Sequence, residues 1–428
     1  MQEMLIRASA HLNTHAVGRS AQFRSWLRVT NEMTAAYLLL ESGCPESARK
    51  MYQHAVGLSE KYGMAETAIQ SLAALRRISA NTDERVVVEL YSKRIDKTSQ
   101  LLSAEMEAER LTDLTRVLLR HYTMHRTKTS RTIDQHCARL AALRSRNDQS
   151  HRIAYSYYRV HLWRASLLGN AKEMNRLGSE GANYMNAHPF TESIQYRVEF
   201  EGARLSAALI CRDHAEAHRS WTDMQRKVTV GSGNWVTLLQ LYFLVCATTR
   251  EYDNARDAVW EYQHHYKRGG PLWRKRLWQL YRAYIMFLID QDVIAPGPLA
   301  GAPRVYAAVL ERQYAELMDD KPVGGAAVLI LKVLQWLRAG RYSDIVENTD
   351  RIRQHASRYL RNSTTVRTGT FMRMLATLPA AEFDVNVARR RGAAIWDRSS
   401  EVRSLQCDTA EIIPYEDLWA IVLQMLER

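Results

Sequence analysis

Between residues 64 and 168 this chain contains neither glycine nor proline. A β protein of comparable size places those residues at frequent tight turns, whereas long helices exclude them. The run therefore predicts an all-α fold. The rest agrees, with 19 Gly and 9 Pro in 428 residues. A hydrophobic content of 46% supports a large buried core and excludes a disordered chain.

Helical periodicity is interrupted by a recurring junction, in which an apolar run meets one or two small or polar residues and a second amphipathic run begins. It is clearest at Leu337-Arg338-Ala339-Gly340-Arg341-Tyr342-Ser343-Asp344. It recurs at Leu168-Gly169-Asn170-Ala171, Cys211-Arg212-Asp213-His214 and Arg250-Glu251-Tyr252-Asp253. From Asn170 to Asp213, Glu251 and Arg341 the steps are 43, 38 and 90 residues, the last being two units. A helix pair of about 40 residues is longer than the ~34-residue tetratricopeptide unit. The pattern predicts helices over 22–40, 45–62, 65–78, a long stretch from Thr82 to about 124, and 133–144. Pairs follow at 150–168/171–185, 191–211/215–228 and 235–249/252–266. The last segments are 271–292, 305–317, 326–337 and 342–359. Stripes at Trp235, Leu238, Leu239, Tyr242 and Cys246, and at Tyr342, Ile345, Val346, Thr349, Ile352 and Ala356, predict the buried faces. The residues 295–303 read as a linker.

Within residues 35–78, Leu40-Glu41-Ser42-Gly43, then Ala48, Tyr52, Ala55 and Ser59-Glu60-Lys61-Tyr62-Gly63, resemble tetratricopeptide helix pairs. With the closing Ile413-Pro414-Tyr415-Glu416-Asp417-Leu418-Trp419, the order of segments is similar to an uncharacterised bacterial family of tetratricopeptide-like proteins, seen mostly in Bacteroidota. The resemblance implies an all-helical superhelix, carries no established activity, and transfers no functional residue. The expected fold is thus an all-α, right-handed α-solenoid of antiparallel helix pairs (tetratricopeptide-like), forming one array over 1–428. Its N-terminal region, 1–146, has long helices; 147–428 has helix pairs and a C-terminal capping helix. Neighbouring pairs must stack, because each has a face it cannot bury alone.

The formal net charge is +13 and is concentrated. Residues 111–164 hold eleven Arg/Lys against three acids, and 262–284 hold six against none. Aromatic residues are interleaved in both. In the first segment Arg152, Arg159, Trp163 and Arg164 are the candidate partner-binding residues. In the second they are Lys267, Arg268, Arg274, Lys275, Arg276 and Arg282. Two readings follow. One is a non-catalytic scaffold or adaptor that binds another protein, with an acidic partner favoured by the charge. The other is RNA or single-stranded DNA binding through basic–aromatic helices, which supply phosphate neutralisation and stacking surfaces. Arginines lying over buried ring edges would leave the same trace.

No catalytic or cofactor signature is present, and no enzyme, cofactor or metal is expected. Histidines pair at i, i+4 at His11/His15, His121/His125 and His214/His218, but none has the following Glu of a metalloprotease helix. They read as surface pairs. Asp290-Gln291-Asp292 reads as a solvated helix end, and Val230-Gly231-Ser232-Gly233-Asn234 as a turn with Asn234 as the cap. Five scattered cysteines read as buried thiols in a reducing compartment. Without a signal-peptide pattern or a membrane-length apolar run, the expected location is the cytoplasm.

Overall fold

A computed structural model describes residues 21–120, 126–188, 194–266, 271–315, 322–359, 366–397 and 410–428. Among them every regular element is helical. The α-helices are α1 (Ala21–Glu41), α2 (Pro45–Lys61), α3 (Ala65–Asn81), α4 (Arg85–Arg120), α5 (Arg126–Arg146), α6 (His151–Leu167), α7 (Ala171–Ala187), α8 (Ile194–Cys211), α9 (His214–Gln225), α10 (Gly233–Thr248), α11 (Tyr252–His265), α12 (Leu272–Asp290), α13 (Ala307–Ala315), α14 (Pro322–Arg338), α15 (Tyr342–Tyr359), α16 (Val366–Leu375), α17 (Val385–Asp397) and α18 (Tyr415–Glu427). Most helices pack against their chain neighbours, as helix pairs joined by short turns must. The chain divides into two compact units, Met1–Phe200 and Glu201–Arg428. That division falls inside α8, while the change of character read from the sequence lies at 146/147.

The recurring junction is one backbone motif. Gly43, Gly63, Asp83, Gly169, Arg212, Arg250 and Gly340 all adopt a left-handed conformation, with φ between 55° and 76°. In each case the next residue's N–H donates to the carbonyl five positions earlier. Asn170 donates to Ala165, Asp213 to Ala208, Glu251 to Cys246 and Arg341 to Trp336, all at 2.9 Å. This Schellman bond satisfies an end carbonyl of one helix. The following helix starts two residues after the left-handed one. Asn170 and Asp213 then cap their helices, accepting from the Glu173 and Glu216 N–H groups at 3.1 and 3.0 Å.

Asp83 corrects one reading: Thr82-Asp83-Glu84 is a third copy of the turn, so the long helix starts at Arg85. The copy is hidden because Asp stands where glycine would signal it. The same cost is present at Arg212, since an L-residue in this region costs ~1–2 kcal/mol. Arg212→Gly is expected to stabilise by about 0.5 kcal/mol after the entropy gained by the unfolded chain is subtracted. Gly169→Ala is expected to destabilise by about 1 kcal/mol. Paired thermal melts measure both signs.

In the first unit α4 is the shared spine. Its 36 residues span about 54 Å. Tyr91 joins a core with Tyr52, Val56, Leu72, Leu75 and Ile78. About five turns further along α4, Ala108 and Leu111 join a second core with Ile133, Leu140, Ile153 and Val160. Between those cores Glu105 is buried, accepting from the Ser150 hydroxyl at 2.7 Å, with Arg152 3.8 Å away. Burial raises the Glu105 carboxyl above its ordinary 4.5. A raised carboxyl disfavours ionisation in the folded state, so stability is lost as pH climbs from about 4.5 through the raised value. Glu105→Gln is expected to flatten that fall, narrowing the difference between thermal midpoints at pH 4 and pH 8.

The second unit is built around large buried rings, including Trp235, Phe243, Trp278, Tyr284, Phe371 and Tyr415. The stripe expected in α10 is buried throughout. In α15, Ile345, Thr349, Ile352 and Ala356 are buried, but Tyr342 and Val346 are 39% and 53% exposed. The buried stripe of α18 is Tyr415, Leu418, Ile421, Val422 and Met425. Its start reaches far back along the chain: Asp417 accepts from Arg250 Nε at 2.9 Å and from the Tyr252 hydroxyl. Burial and that carboxylate together push the Tyr252 phenol up. Beyond the expected segments, α16 and α17 complete the packing. Gly392 of α17 lies so close to α18 that an added Cβ would meet the Trp419 ring at 2.5 Å.

Candidate functional site

Among the described residues, the basic segments use most of their guanidinium groups internally. Arg159 is bonded to Glu199 at 2.7 Å and lies over the rings of Tyr155 and Trp163, at 5.3 and 4.8 Å. Arg164 pairs with Asp134. Arg152 is exposed, 3.8 Å from both Glu66 and Glu105. Trp163 is half-buried against the second core. Arg139 takes Glu107, and Arg144 bonds the Tyr158 hydroxyl between the rings of Tyr157 and Tyr158. The acids Glu66, Glu105, Glu107 and Glu199 all lie outside the 111–164 window, so counting charge along the sequence overstates the local excess.

In the second segment Lys267 and Arg268 lie outside the described residues. Arg276 is buried, 6% exposed. Arg282 donates to the Pro303 carbonyl at 2.5 Å, and burial lowers its pKa. Lys275 is exposed, and Arg274 lies 5.2 Å from the ring of Trp273, itself 51% exposed. The two segments belong to different compact units.

Of the histidine pairs, His11/His15 and His121/His125 lie outside the described residues. His214 and His218 have ring centroids 5.7 Å apart, and His218 Nδ1 is 2.8 Å from the Tyr242 hydroxyl. No cluster of three or more metal-ligating side chains occurs among the described residues, and no described helix is long and apolar enough to cross a membrane. Ser232, rather than Asn234, caps α10 by accepting from the Trp235 N–H at 3.2 Å.

A cleft of about 300 Å³ opens in the second unit. Its floor is Ala283, Met286 and Phe287 of α12; its walls are Val305, Tyr306 and Ala308 before and within α13, and Trp336 and Ala339 at the end of α14. Polar groups ring this apolar interior: Asp290, Arg304, Lys332, Gln335, Arg338 and Arg341. Helical spacing puts Lys332, Gln335 and Trp336 on one face of α14, with Ala339 just past its end. Gln335 holds the approach to α13 in place, donating to the Val305 carbonyl at 3.1 Å and accepting from the Ala307 N–H at 2.9 Å.

The charges of the cleft do not cancel. Asp290 alone serves two arginines, Arg304 at 3.0 Å on one oxygen and Arg338 on the other. Lys332 and Arg351 share Glu311, each at 2.6 Å, and Arg341 pairs with Asp344 at 2.7 Å. Burial pushes Glu311 up, but its two cations outweigh it and hold the carboxyl below its ordinary range. The cleft lining thus holds four cations and one carboxylate, and with the ion-pair partners Arg351, Glu311 and Asp344 the balance is five cations to three carboxylates. Arg304 and Arg341 keep side chains 54% and 58% exposed. The rim also exposes Tyr306, at 59%.

No family model, curated protein or solved structure matches this chain. The cleft's chemistry therefore has to speak for itself. None of its polar residues was among the sequence candidates. Arg338 and Arg341 stood in the junction that marks the repeat, and Asp290 in a triplet read as a solvated helix end. What joins them to Arg304 and Lys332 is the packing of α12, α13 and α14, which local pattern does not encode.

Proposed function

We propose that this chain is a non-catalytic scaffold, a helical-repeat array with a capping C-terminal helix, that binds an acidic segment of another protein. The observation that carries the reading is the cation excess around an apolar cleft, with Asp290 shared between Arg304 and Arg338. An apolar pocket with a few convergent polar groups is the usual form of a recognition site. Helix pairs in series offer the extended surfaces on which such sites sit. A +13 chain also attracts acidic partners at long range. A fluorescent glutamate-rich peptide should bind the full chain at low salt and weaken as the Debye length shrinks toward ~8 Å at 0.15 M. Absence of binding at low ionic strength would remove the reading.

Binding of RNA or single-stranded DNA is the second reading, and the exposed Trp273 beside Arg274 and Lys275 favours it. A ring open to solvent next to cations is a stacking platform, worth ~1–3 kcal/mol per base. Trp273→Ala should then weaken oligouridylate binding by about tenfold or more, measured at fixed salt. An unchanged affinity excludes this platform.

A further inference from the structure

We infer that the cleft formed by α12, α13 and α14 is the docking site for a single apolar side chain of a partner protein. That side chain would be flanked by a carboxylate which Arg304 and Arg338 receive. The inference rests on the acidic-partner reading and specifies its site and chemistry.

Size comes first. A cavity of about 300 Å³ lies at the lower end of the ~300–1,000 Å³ typical of ligand pockets. It suits one anchoring side chain with a short flank. Apolar anchors seated in a preformed pocket dominate the energy of such interfaces. Met286, Phe287 and Trp336 provide the apolar contact, and all are buried at 8% exposure or less. Tyr306 of the wall and Val309 beyond it are 59% and 39% exposed, so apolar surface continues past the rim. This points to a chain segment as the occupant.

Charge identifies the flanking group. Asp290, with its side chain 13% exposed, offers one carboxylate to two guanidinium groups. One positive charge is left unmatched at the mouth of the apolar pocket. Guanidinium receives carboxylate with paired, directional hydrogen bonds. Arg341, at the edge of the same cleft, adds to the field. Asp290 therefore acts as an internal competitor: it holds both arginines in place while repelling the second carboxylate.

This arrangement predicts a gain of affinity on removing an acid. The probes are two labelled glutamate-rich peptides, one carrying a single central phenylalanine and the other none, titrated against the full chain by fluorescence polarisation. The phenylalanine peptide should bind more tightly. Asp290→Asn should tighten it by about tenfold, equivalent to ~1.4 kcal/mol. Asp134→Asn, which frees Arg164 in the first unit with the same change in net charge, should leave it unchanged. Ala308→Trp, at an exposed position of the cleft wall, should weaken the phenylalanine peptide and spare the other. Equal affinities for the two peptides, with Asp290→Asn and Asp134→Asn acting alike, would overturn the cleft while leaving acidic binding intact. Binding of neither peptide would overturn both. Tight oligouridylate binding that responds to Asp290→Asn would assign the cleft to nucleic acid instead.

Discussion

Trp278→Ala is expected to cost ~3–5 kcal/mol, the range for deleting a large aromatic from a core. Trp278 is 1% exposed. Its indole stacks on Tyr262 with centroids 4.4 Å apart and planes 5° from parallel. Tyr281 meets it edge-on at 5.5 Å, and Phe243 lies 5.8 Å away. Removing the indole therefore leaves a void lined by rigid rings from α10, α11 and α12, which cannot collapse into it. The indole N–H has no acceptor among the described residues, so Trp278→Phe deletes an orphan donor along with part of the contact. Its loss should stay near ~1 kcal/mol, because an unmet buried donor costs ~1–3 kcal/mol. Chemical denaturation measures both. Similar losses for the two variants would show that the indole N–H has an acceptor and that its loss, rather than ring area, decides.

Arg367→Met is expected to cost about 3 kcal/mol, at the lower end of the range for breaking a buried ion pair. Arg367 bonds Glu411 through two nitrogens, at 2.7 and 2.6 Å, and Glu416 at 2.9 Å. Burial opposes its charge, but the two carboxylates outweigh burial and hold the guanidinium pKa above its ordinary value. Glu411 is the vulnerable partner, with a side chain only 10% exposed. It also accepts from the Tyr415 N–H at 3.2 Å, at the start of α18. Losing Arg367 strands that carboxylate and loosens the start of α18, where Thr368 and Tyr415 share a 2.6 Å hydrogen bond. The double variant Arg367→Met/Glu411→Gln should recover most of the loss, since the buried charge goes with its partner. A double variant no better than the single one would place the energy in packing.

The helices were legible where two signals coincide. Pro45 opens α2 and Gly63 closes its turn, and between them Ala48, Tyr52, Ala55 and Ser59 are buried as their spacing requires. The turn at Asp83 was not legible, because its left-handed residue has a side chain and its acids imitate a helix start. Tyr342 and Val346 share the apolar stripe of α15 yet stay exposed, since periodicity gives a face but not how much of it a neighbour covers. The candidate site was the least legible part. The arginines of 111–164 meet acids far away in sequence, and the cleft joins residues from 283 to 341 that share no motif. The ion pairs of Arg250 and Arg338 reach 167 and 48 residues along the chain, distances no local window spans.

Hydrogen–deuterium exchange of the full chain, with and without the glutamate-rich phenylalanine peptide, tests the cleft most directly. Protection is expected in 283–290, 304–308 and 332–341, the segments that line it, with little change over 144–164. Protection confined to 144–164 or 271–282, with the cleft segments unaltered, would contradict the assignment.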